Sequence, residues 1–256
     1  MKSVSLNLNS NISQKLFYLI VLILFLRIDL VFENNTPTGG DMGAHIVAID
    51  TFIKDFMPNF QINGWSNDWF GGYPLYYFYF PLPAIVTFFL NLIFPFGIAF
   101  KIMVVLSIIL IVYSIEKLMR KTSNQISIYG ATAGLFFVFT ESFTIYGGNL
   151  ASTLAGQFSF GYSLAFANLS IFYLLKSNNN FRFPISSIFL ASCLLSHLIP
   201  FIIYSPIYAF YWLSRKQNFN QKILSISIFL ALVSRWSTSL IMNLEYTTNM
   251  SYTPFS

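Results

Sequence analysis

Apolar runs that approach the length of a membrane-spanning helix recur along this chain from Leu16 onward, and they limit what it can fold into. About 20 apolar residues in helical form are needed to cross the hydrocarbon of a bilayer. Of the 256 residues, 55% are hydrophobic and only 9% are charged, too few charges to cover a soluble domain of this length. The sequence therefore predicts an all-α, polytopic helix bundle whose solvent is the lipid bilayer.

The predicted bundle is built from the longest of these runs. They are 16–32, 82–96, 98–118, 125–140, 160–176, 183–197, 200–214 and 221–238. No small-residue cleavage site follows the first run, and Arg27 and Asp29 interrupt its end, so we interpret it as a retained anchor rather than a signal peptide. No linker separates the runs, and we predict a single membrane domain over 1–256.

Positive residues between the runs set the predicted orientation, because cytoplasmic loops are enriched in Lys and Arg. Lys2 and Lys15 place the N-terminus inside. Three later clusters also fall inside if 82–118 crosses only once, with 82–96 as a half-helix bounded by prolines. These clusters are Lys117/Arg120/Lys121, Lys176/Arg182 and Arg215/Lys216/Lys222. We predict about seven spanning helices plus a half-helix in the cytoplasmic membrane, and a large first outer loop at 33–81.

Charge and cysteine content narrow the classes of function. The net charge of +5 arises from these loop clusters, so it does not indicate a nucleic-acid partner. Cys193 is the only cysteine and lies within an apolar run, which excludes an intramolecular disulfide and a cysteine metal cluster.

The first candidate site is the segment PTGGDMGAH at 37–45, directly after the first apolar run. Its paired glycines, Gly39 and Gly40, allow positive φ or a close approach to a ligand. Asp41 stands where a helix over 44–56 can begin, so the commoner interpretation is a helix N-cap. His45 lies one turn further on the same face. An Asp/His pair at this spacing can instead position a general base or share a divalent metal ion.

The second candidate region is the aromatic segment NGWSNDWFGGYPLYYFYFPLP at 63–83. An aromatic belt at the level of the lipid headgroups explains its tryptophans and tyrosines. An aspartate, paired glycines and three prolines also shape a rigid loop, which a belt does not need. Because aromatic faces stack on sugar rings and on polyprenyl chains, Asp68, Trp69 and Tyr73 are candidate substrate-binding residues.

Two further predicted outer segments carry neutral or weakly basic polar groups. Asn149 and Gln157 in GGNLASTLAGQFS suit a hydroxyl-rich ligand, although small residues here are also typical of helix packing. His197 precedes Pro200 at a predicted helix end, where a lone histidine is more often structural than a ligand. Because these segments share the predicted outer face with Asp41, all three residues are candidates for substrate binding.

In order along the chain, GGDMGAH, WFGGYPLYYFYFPLP, GGNLASTLAGQFS and LSHLIP resemble the membrane family labelled "6-pyruvoyl-tetrahydropterin synthase-related". That family is similar in plan to the GT-C glycosyltransferases, multispanning enzymes that use polyprenyl-phosphate sugars. In those enzymes an acidic residue in the first outer loop works at the active site, and Asp41 occupies that place. Gln157 stands where the resemblance would lead us to expect an acid.

The resemblance implies a glycosyltransferase that moves a sugar from a polyprenyl phosphate to an acceptor at the outer face of the membrane. Asp41 would then be the general base or, with His45, a ligand of a divalent metal ion. Family members usually continue for several helices beyond a tail like 239–256, which implies that this chain is the N-terminal part of a longer protein.

Two alternatives to an enzyme stay open. One is a non-enzymatic binder or transporter of polyprenyl lipids or glycans, and the other is an assembly subunit whose protein partners the sequence does not identify. A transporter should carry charges deep in several helices. The nearest to mid-helix charges here are Lys101 and Arg235, which favours a surface site over a translocation path.

Overall fold

Inside hydrocarbon the backbone finds no water, so apolar segments fold as helices whose hydrogen bonds stay within the segment. The computed structural model describes residues 16, 18–69, 71–122, 127–141, 147–176 and 182–247, without the side chains at 121, 122, 127 and 128. It is 76% helix and 3% strand, which confirms the all-α prediction. Predictions that fall on Lys2, Lys15, 142–146 or the tail from 248 lie outside the described residues.

The helices follow the predicted apolar runs. In chain order they are α1 (described over 18–25), α2 (Ile28–Val31), α3 (Met42–Thr51), α4 (Leu82–Asn91), α5 (Phe96–Thr122), α6 (Ser127–Val138), α7 (Leu150–Ser152), α8 (Phe158–Leu175), α9 (Arg182–Ser196), α10 (Leu198–Ser214) and α11 (Phe219–Met242). Short 3₁₀ turns lie at Met57–Asn59 and Leu244–Tyr246.

Three irregular elements distinguish the segments that carry the candidate site. A π-helical turn, Phe52–Phe56, extends α3, and a second, Thr153–Gln157, joins α7 to α8. Strands β1 (Gly64–Ser66) and β2 (Tyr73–Leu75) pair as an antiparallel hairpin within the segment that the sequence predicted as a rigid loop.

Among the described residues, three helices are long and apolar enough to cross a membrane, and they indicate a membrane protein. These are Phe96–Arg120, Leu150–Leu175 and Phe219–Met242. Shorter apolar helices are Leu82–Asn91, Tyr129–Val138, Arg182–Ser196 and Leu198–Ser214. At the usual rise per residue α4 is about 15 Å long, roughly half of the hydrocarbon thickness, and its role as a half-helix stays a prediction.

Helix α8 lies at the centre of the bundle and packs against α5, α9 and α10. Gly161 permits the contact with α5, since a Cβ there would lie 3.2 Å from Cδ1 of Ile111. The buried hydroxyl of Ser163 lies 2.9 Å from the carbonyl oxygens of both Cys193 and His197. Small residues and satisfied hydroxyls are what allow membrane helices to pack closely, so α8 fixes the α9–α10 junction.

The two ends of the bundle differ in charge. Arg215 donates to the carbonyl of Leu175 at 2.8 Å, which brings the end of α10 beside the end of α8. Leu118 of α5 packs against the same apolar cluster as Leu175, so all three predicted basic clusters lie at this end. At the opposite end, Phe100 of α5 meets Phe158 of α8, with 5.9 Å between ring centroids. The segment 33–81 packs at that second end.

Candidate functional site

The segment that follows α2 is fixed to the bundle through its backbone. Gly39 and Gly40 adopt φ of 112° and 51°, values that favour glycine. The N–H of Asp41 then donates to the carbonyl of Ala155 at 2.8 Å. A Cβ at Gly40 would lie 2.2 Å from that same carbonyl oxygen, so only glycine allows this approach. The segment PTGGDMGAH is therefore in direct backbone contact with the segment GGNLASTLAGQFS.

The π-helical turn Thr153–Gln157 meets Asp41 and His45 at Gly156. This glycine has φ of 115°, and a Cβ on it would lie 3.0 Å from Cβ of Asp41 and 3.2 Å from Cδ2 of His45. Single π-helical turns are frequent at functional sites because the additional residue redirects the backbone. Gly156 is a site residue that sequence reasoning missed. Its visible signal was a glycine among the small residues of the segment GGNLASTLAGQFS.

Asp41 occupies the N-cap position of α3, but its side chain makes no capping hydrogen bond. Its φ of −87° and ψ of 6° differ from the extended backbone typical of a capping residue. The side chain is exposed. The capping interpretation thus explains where Asp41 lies, whereas its carboxylate stays accessible to a ligand.

His45 lies one turn further along α3, and its backbone N–H donates to the carbonyl of Asp41 at 3.1 Å. The ring is half-buried between Phe158 and Tyr79, with centroid distances of 4.8 Å and 5.6 Å. Burial lowers the pKa of His45 below its usual 6.5, against the opposing effects of the Asp41 charge and a hydrogen bond to the backbone of Gly156. His45 is therefore a neutral imidazole at pH 7.

Tyr79 forms the next wall of the site. Burial raises the pKa of its hydroxyl, the hydroxyl of Ser159 lowers it, and the negative charge of Asp41 raises it. Trp236 of α11 donates from Nε1 to the carbonyl of Tyr79 at 2.9 Å. This contact is one that sequence reasoning missed, since nothing local in α11 points to the segment 33–81.

A cavity of about 370 Å³ opens beside His45 and is of the size of small-molecule sites. Residues of α3 and of the hairpin region line it, among them Ala44, His45, Ala48, Trp69, Tyr73, Pro74, Tyr76, Phe78 and Tyr79. Two of the predicted binding residues, Trp69 and Tyr73, stack here with centroids 5.8 Å apart and an interplanar angle of 22°. The aromatic segment and the Asp/His segment thus share one cavity.

The carboxylate of Asp68 is held by two hydroxyl groups. The hydroxyl of Thr51, at the end of α3, and the hydroxyl of Ser66, at 2.9 Å, both donate to its carboxylate. These bonds lower the pKa of Asp68 below its usual 3.8. The carboxylate therefore joins the hairpin to α3 and positions the loop that carries Trp69.

The other three predicted binding residues lie at helix starts. Oδ1 of Asn149, a residue only 4% exposed, accepts the N–H of Ser152 at 2.8 Å and caps α7. Nδ1 of His197 accepts the N–H of Ile199 at 3.2 Å and caps α10. Gln157 is half-buried before α8 and makes no capping hydrogen bond. Substrate binding by these residues stays a prediction.

Aromatic contacts connect His197 to the site. Its ring stacks on Phe80 at 5.1 Å, and Phe80 contacts Tyr79 at 5.6 Å. Tyr79 in turn contacts His45. Both histidines of the chain therefore lie at the same end of the bundle, joined through two aromatic rings.

Metal binding by the Asp/His pair depends on the donors available. Within the described ranges, no group of three or more His, Cys, Asp or Glu residues is placed to hold a metal ion. A divalent metal ion would have Asp41 and His45 as protein ligands and would need substrate or water oxygens for the rest.

Comparison of the chain with protein-family models, with curated proteins and with solved structures gives no match.

Proposed function

We propose that the protein is a GT-C-like glycosyltransferase. It transfers a sugar from a polyprenyl phosphate to an acceptor hydroxyl at the outer face of the cytoplasmic membrane. The observation that carries this proposal is the pair formed by Asp41 and His45: an accessible carboxylate without a capping bond, one turn from a neutral imidazole beside an aromatic cavity.

The chemistry needs a base at the acceptor and walls that hold the sugar. Asp41 accepts the proton of the acceptor hydroxyl as its oxygen bonds to the anomeric carbon, and polyprenyl phosphate leaves with the electron pair of the broken glycosidic bond. His45 orients Asp41, while Trp69 and Tyr73 offer π faces to the sugar ring. A second role open to the pair is to hold a divalent metal ion, which would supply charge neutralisation at the leaving phosphate.

The membrane arrangement belongs to the same proposal. In this arrangement about seven helices and the half-helix α4 enter the membrane, and the N-terminus lies inside. Support comes from the ends of the bundle, because the basic clusters lie at one end and Asp41 lies at the other. Since Lys/Arg-rich loops stay cytoplasmic, the cavity beside His45 faces outward. The family resemblance adds support, as the structure brings its first and third motifs into contact at Ala155.

A second cleft favours the alternative of a non-enzymatic lipid binder. It has a volume of about 290 Å³ and is walled mainly by apolar residues, including Leu26 between α1 and α2, Met42 of α3, Val105 of α5 and Leu150 of α7. An apolar chain can occupy such a cleft without any bond being broken.

An assay on the purified full chain in nanodiscs separates the two functions. The substrate is a polyprenyl-phosphate hexose with a radiolabelled sugar, and the readout is release of polyprenyl phosphate with transfer of label, with and without EDTA. The glycosyltransferase proposal expects label transfer that requires Asp41. Saturable binding of the donor with no transfer would assign the protein to lipid binding, and absence of both would contradict each proposal.

A further inference from the structure

A second aromatic cavity, of about 500 Å³, adjoins the cavity beside His45. Its lining residues are Trp65, Pro74, Tyr77, Phe78, Asn243 and Tyr246, and we call it the outer aromatic cavity. Pro74 and Phe78 line both cavities, so the two spaces lie on either side of the same pair of side chains. A ligand held in one is therefore next to a ligand held in the other.

Trp65 is 62% exposed, yet its position is fixed. Gly72 has φ of 120°, and a Cβ on it would lie 2.3 Å from Nε1 of Trp65, so the indole rests directly on the Gly72 backbone. Trp65 also pairs with Pro74 across the hairpin. A tryptophan that only anchors a protein among lipid headgroups needs no such fixation. The ring is a pre-organised flat face that solvent can reach.

The chemistry of the lining selects the class of ligand. None of the described residues that line it is charged, so they provide no counter-charge for a phosphate or a carboxylate. The hydroxyls of Tyr77 and Tyr246 and the amide of Asn243 are neutral hydrogen-bonding groups. Nδ2 of Asn243 donates to the carbonyl of Ser239 at 2.7 Å, and the amide oxygen can still accept. Flat apolar faces beside neutral donors and acceptors match the C–H faces and hydroxyls of a sugar.

We propose that the outer aromatic cavity binds a neutral saccharide, with one sugar ring stacked on Trp65. Its position beside the His45 cavity makes that saccharide part of the acceptor glycan. The acceptor role rests on the proposed glycosyltransferase function, whereas the binding of the saccharide does not. The volume is in the range of sites for drug-sized ligands.

Saturation-transfer difference NMR on the full chain in nanodiscs tests the site. The probes are four neutral tetrasaccharides: cellotetraose, maltotetraose, mannotetraose and chitotetraose. At least one is expected to bind with saturation concentrated on the C–H protons of one ring face, and Trp65→Ala should raise its Kd at least about fivefold. Tyr129→Ala is the matched control, since it removes a ring that is 67% exposed on α6, and it should leave the Kd unchanged.

The outcomes separate this site from the other roles of an exposed tryptophan. Absence of binding by all four probes would overturn the proposal, and so would an unchanged Kd in Trp65→Ala or, should that variant not fold, in Tyr246→Ala. Tyr246→Ala is included because Trp65→Ala also removes packing on Gly72, and thermal melts show whether each variant is folded. A lower melting temperature of Trp65→Ala with an unchanged Kd would assign Trp65 to the aromatic belt.

Measuring saccharide binding and transfer activity side by side distinguishes failure of this inference from failure of the proposed function, because the lining of the outer aromatic cavity does not include Asp41. If the wild type binds the saccharide but shows no transfer activity, the glycosyltransferase proposal fails and the saccharide site remains. If the wild type shows transfer activity but no Trp65-dependent binding, the saccharide site fails and the glycosyltransferase proposal remains.

Discussion

Two kinds of helix start occur in this protein. At α7 and α10, the side chains of Asn149 and His197 accept a backbone N–H of the first turn. At α3 the side chain of Asp41 does not, although a helix start always leaves such N–H groups in need of partners. Here the N–H of Met42 donates to the carbonyl of Gly39 at 3.1 Å. At α3 a backbone carbonyl of the glycine turn thus accepts one of the N–H groups of the helix start. The carboxylate of Asp41 is not used as a helix cap and can contact a ligand.

The largest expected effect tests whether the carboxylate of Asp41 acts in catalysis or only supports the helix. Asp41→Asn keeps the shape of the side chain and its capping ability but loses its charge. Loss of a general base usually costs about 100-fold to 10,000-fold in rate, so label transfer should fall at least about tenfold. The melting temperature should change little because no capping bond is lost.

The matched variant for this test is His45→Ala, in which an orienting partner is lost and the base is kept. Its transfer activity should fall less than that of Asp41→Asn. Full activity in Asp41→Asn would end the catalytic hypothesis and return the residue to the role of a helix cap.

Gly156→Ala should disrupt the contact between the π-helical turn and α3. The new Cβ would lie 3.0 Å from Cβ of Asp41, on a backbone with φ of 115°. Strain of this kind costs about 1–3 kcal/mol, so both the melting temperature and the transfer activity should fall. Gly43→Ala is the control, since it lies inside α3 with open space around its Cβ position and should not lower the melting temperature. Wild-type behaviour of Gly156→Ala would show that the turn does not close on Asp41.

Asn149→Ala should have a smaller effect, on stability. It removes the bond to the N–H of Ser152, and loss of an N-cap typically costs about 1 kcal/mol. Asn149→Ser can still cap and should recover most of this loss in reversible denaturation. If Asn149→Ser is stable yet loses transfer activity, Asn149 binds substrate in addition to capping α7. Its side chain would then share with Asp41 a role in function.

The smallest effect concerns acid sensitivity. Because burial lowers the pKa of His45 below 6.5, the unfolded chain takes up this proton before the folded protein does. Stability is therefore retained above pH 6.5 and decreases as the pH falls through the folded pKa. His45→Gln should show a shallower decrease in melting temperature between pH 6.5 and about 5, where carboxylates contribute little. Parallel curves for the two proteins would contradict the burial of His45.

The sequence predicted the helices well because the length and composition of an apolar run are local properties. It predicted the start of α3 at Asp41 for the same reason. The hairpin and the roles of Asp68 and Asn149 were not predicted, since they depend on partners that composition does not reveal. Thr51, for example, donates to a carboxylate 17 residues away.

The candidate site was predicted in part. The sequence pointed to Asp41, His45, Trp69 and Tyr73, and the structure gathers them around or beside one cavity. It missed Gly156 and Trp236, which complete the site through close packing and a single hydrogen bond. Neither contact leaves a pattern along the chain, because a glycine among small residues and a tryptophan in an apolar helix are both ordinary.

The hydrogen bond from Trp236 to the carbonyl of Tyr79 has a consequence for synthesis. Its two residues are 157 positions apart, and a ribosome adding about 5–20 residues per second needs roughly 8 to 30 seconds between them. During that interval the nascent segment 33–81 lacks the helix that later holds it, and it is open to proteases and folding factors. A substitution of Trp236 should therefore lower the amount of mature protein in the cell. It should have a smaller effect on the catalytic rate of each molecule that matures.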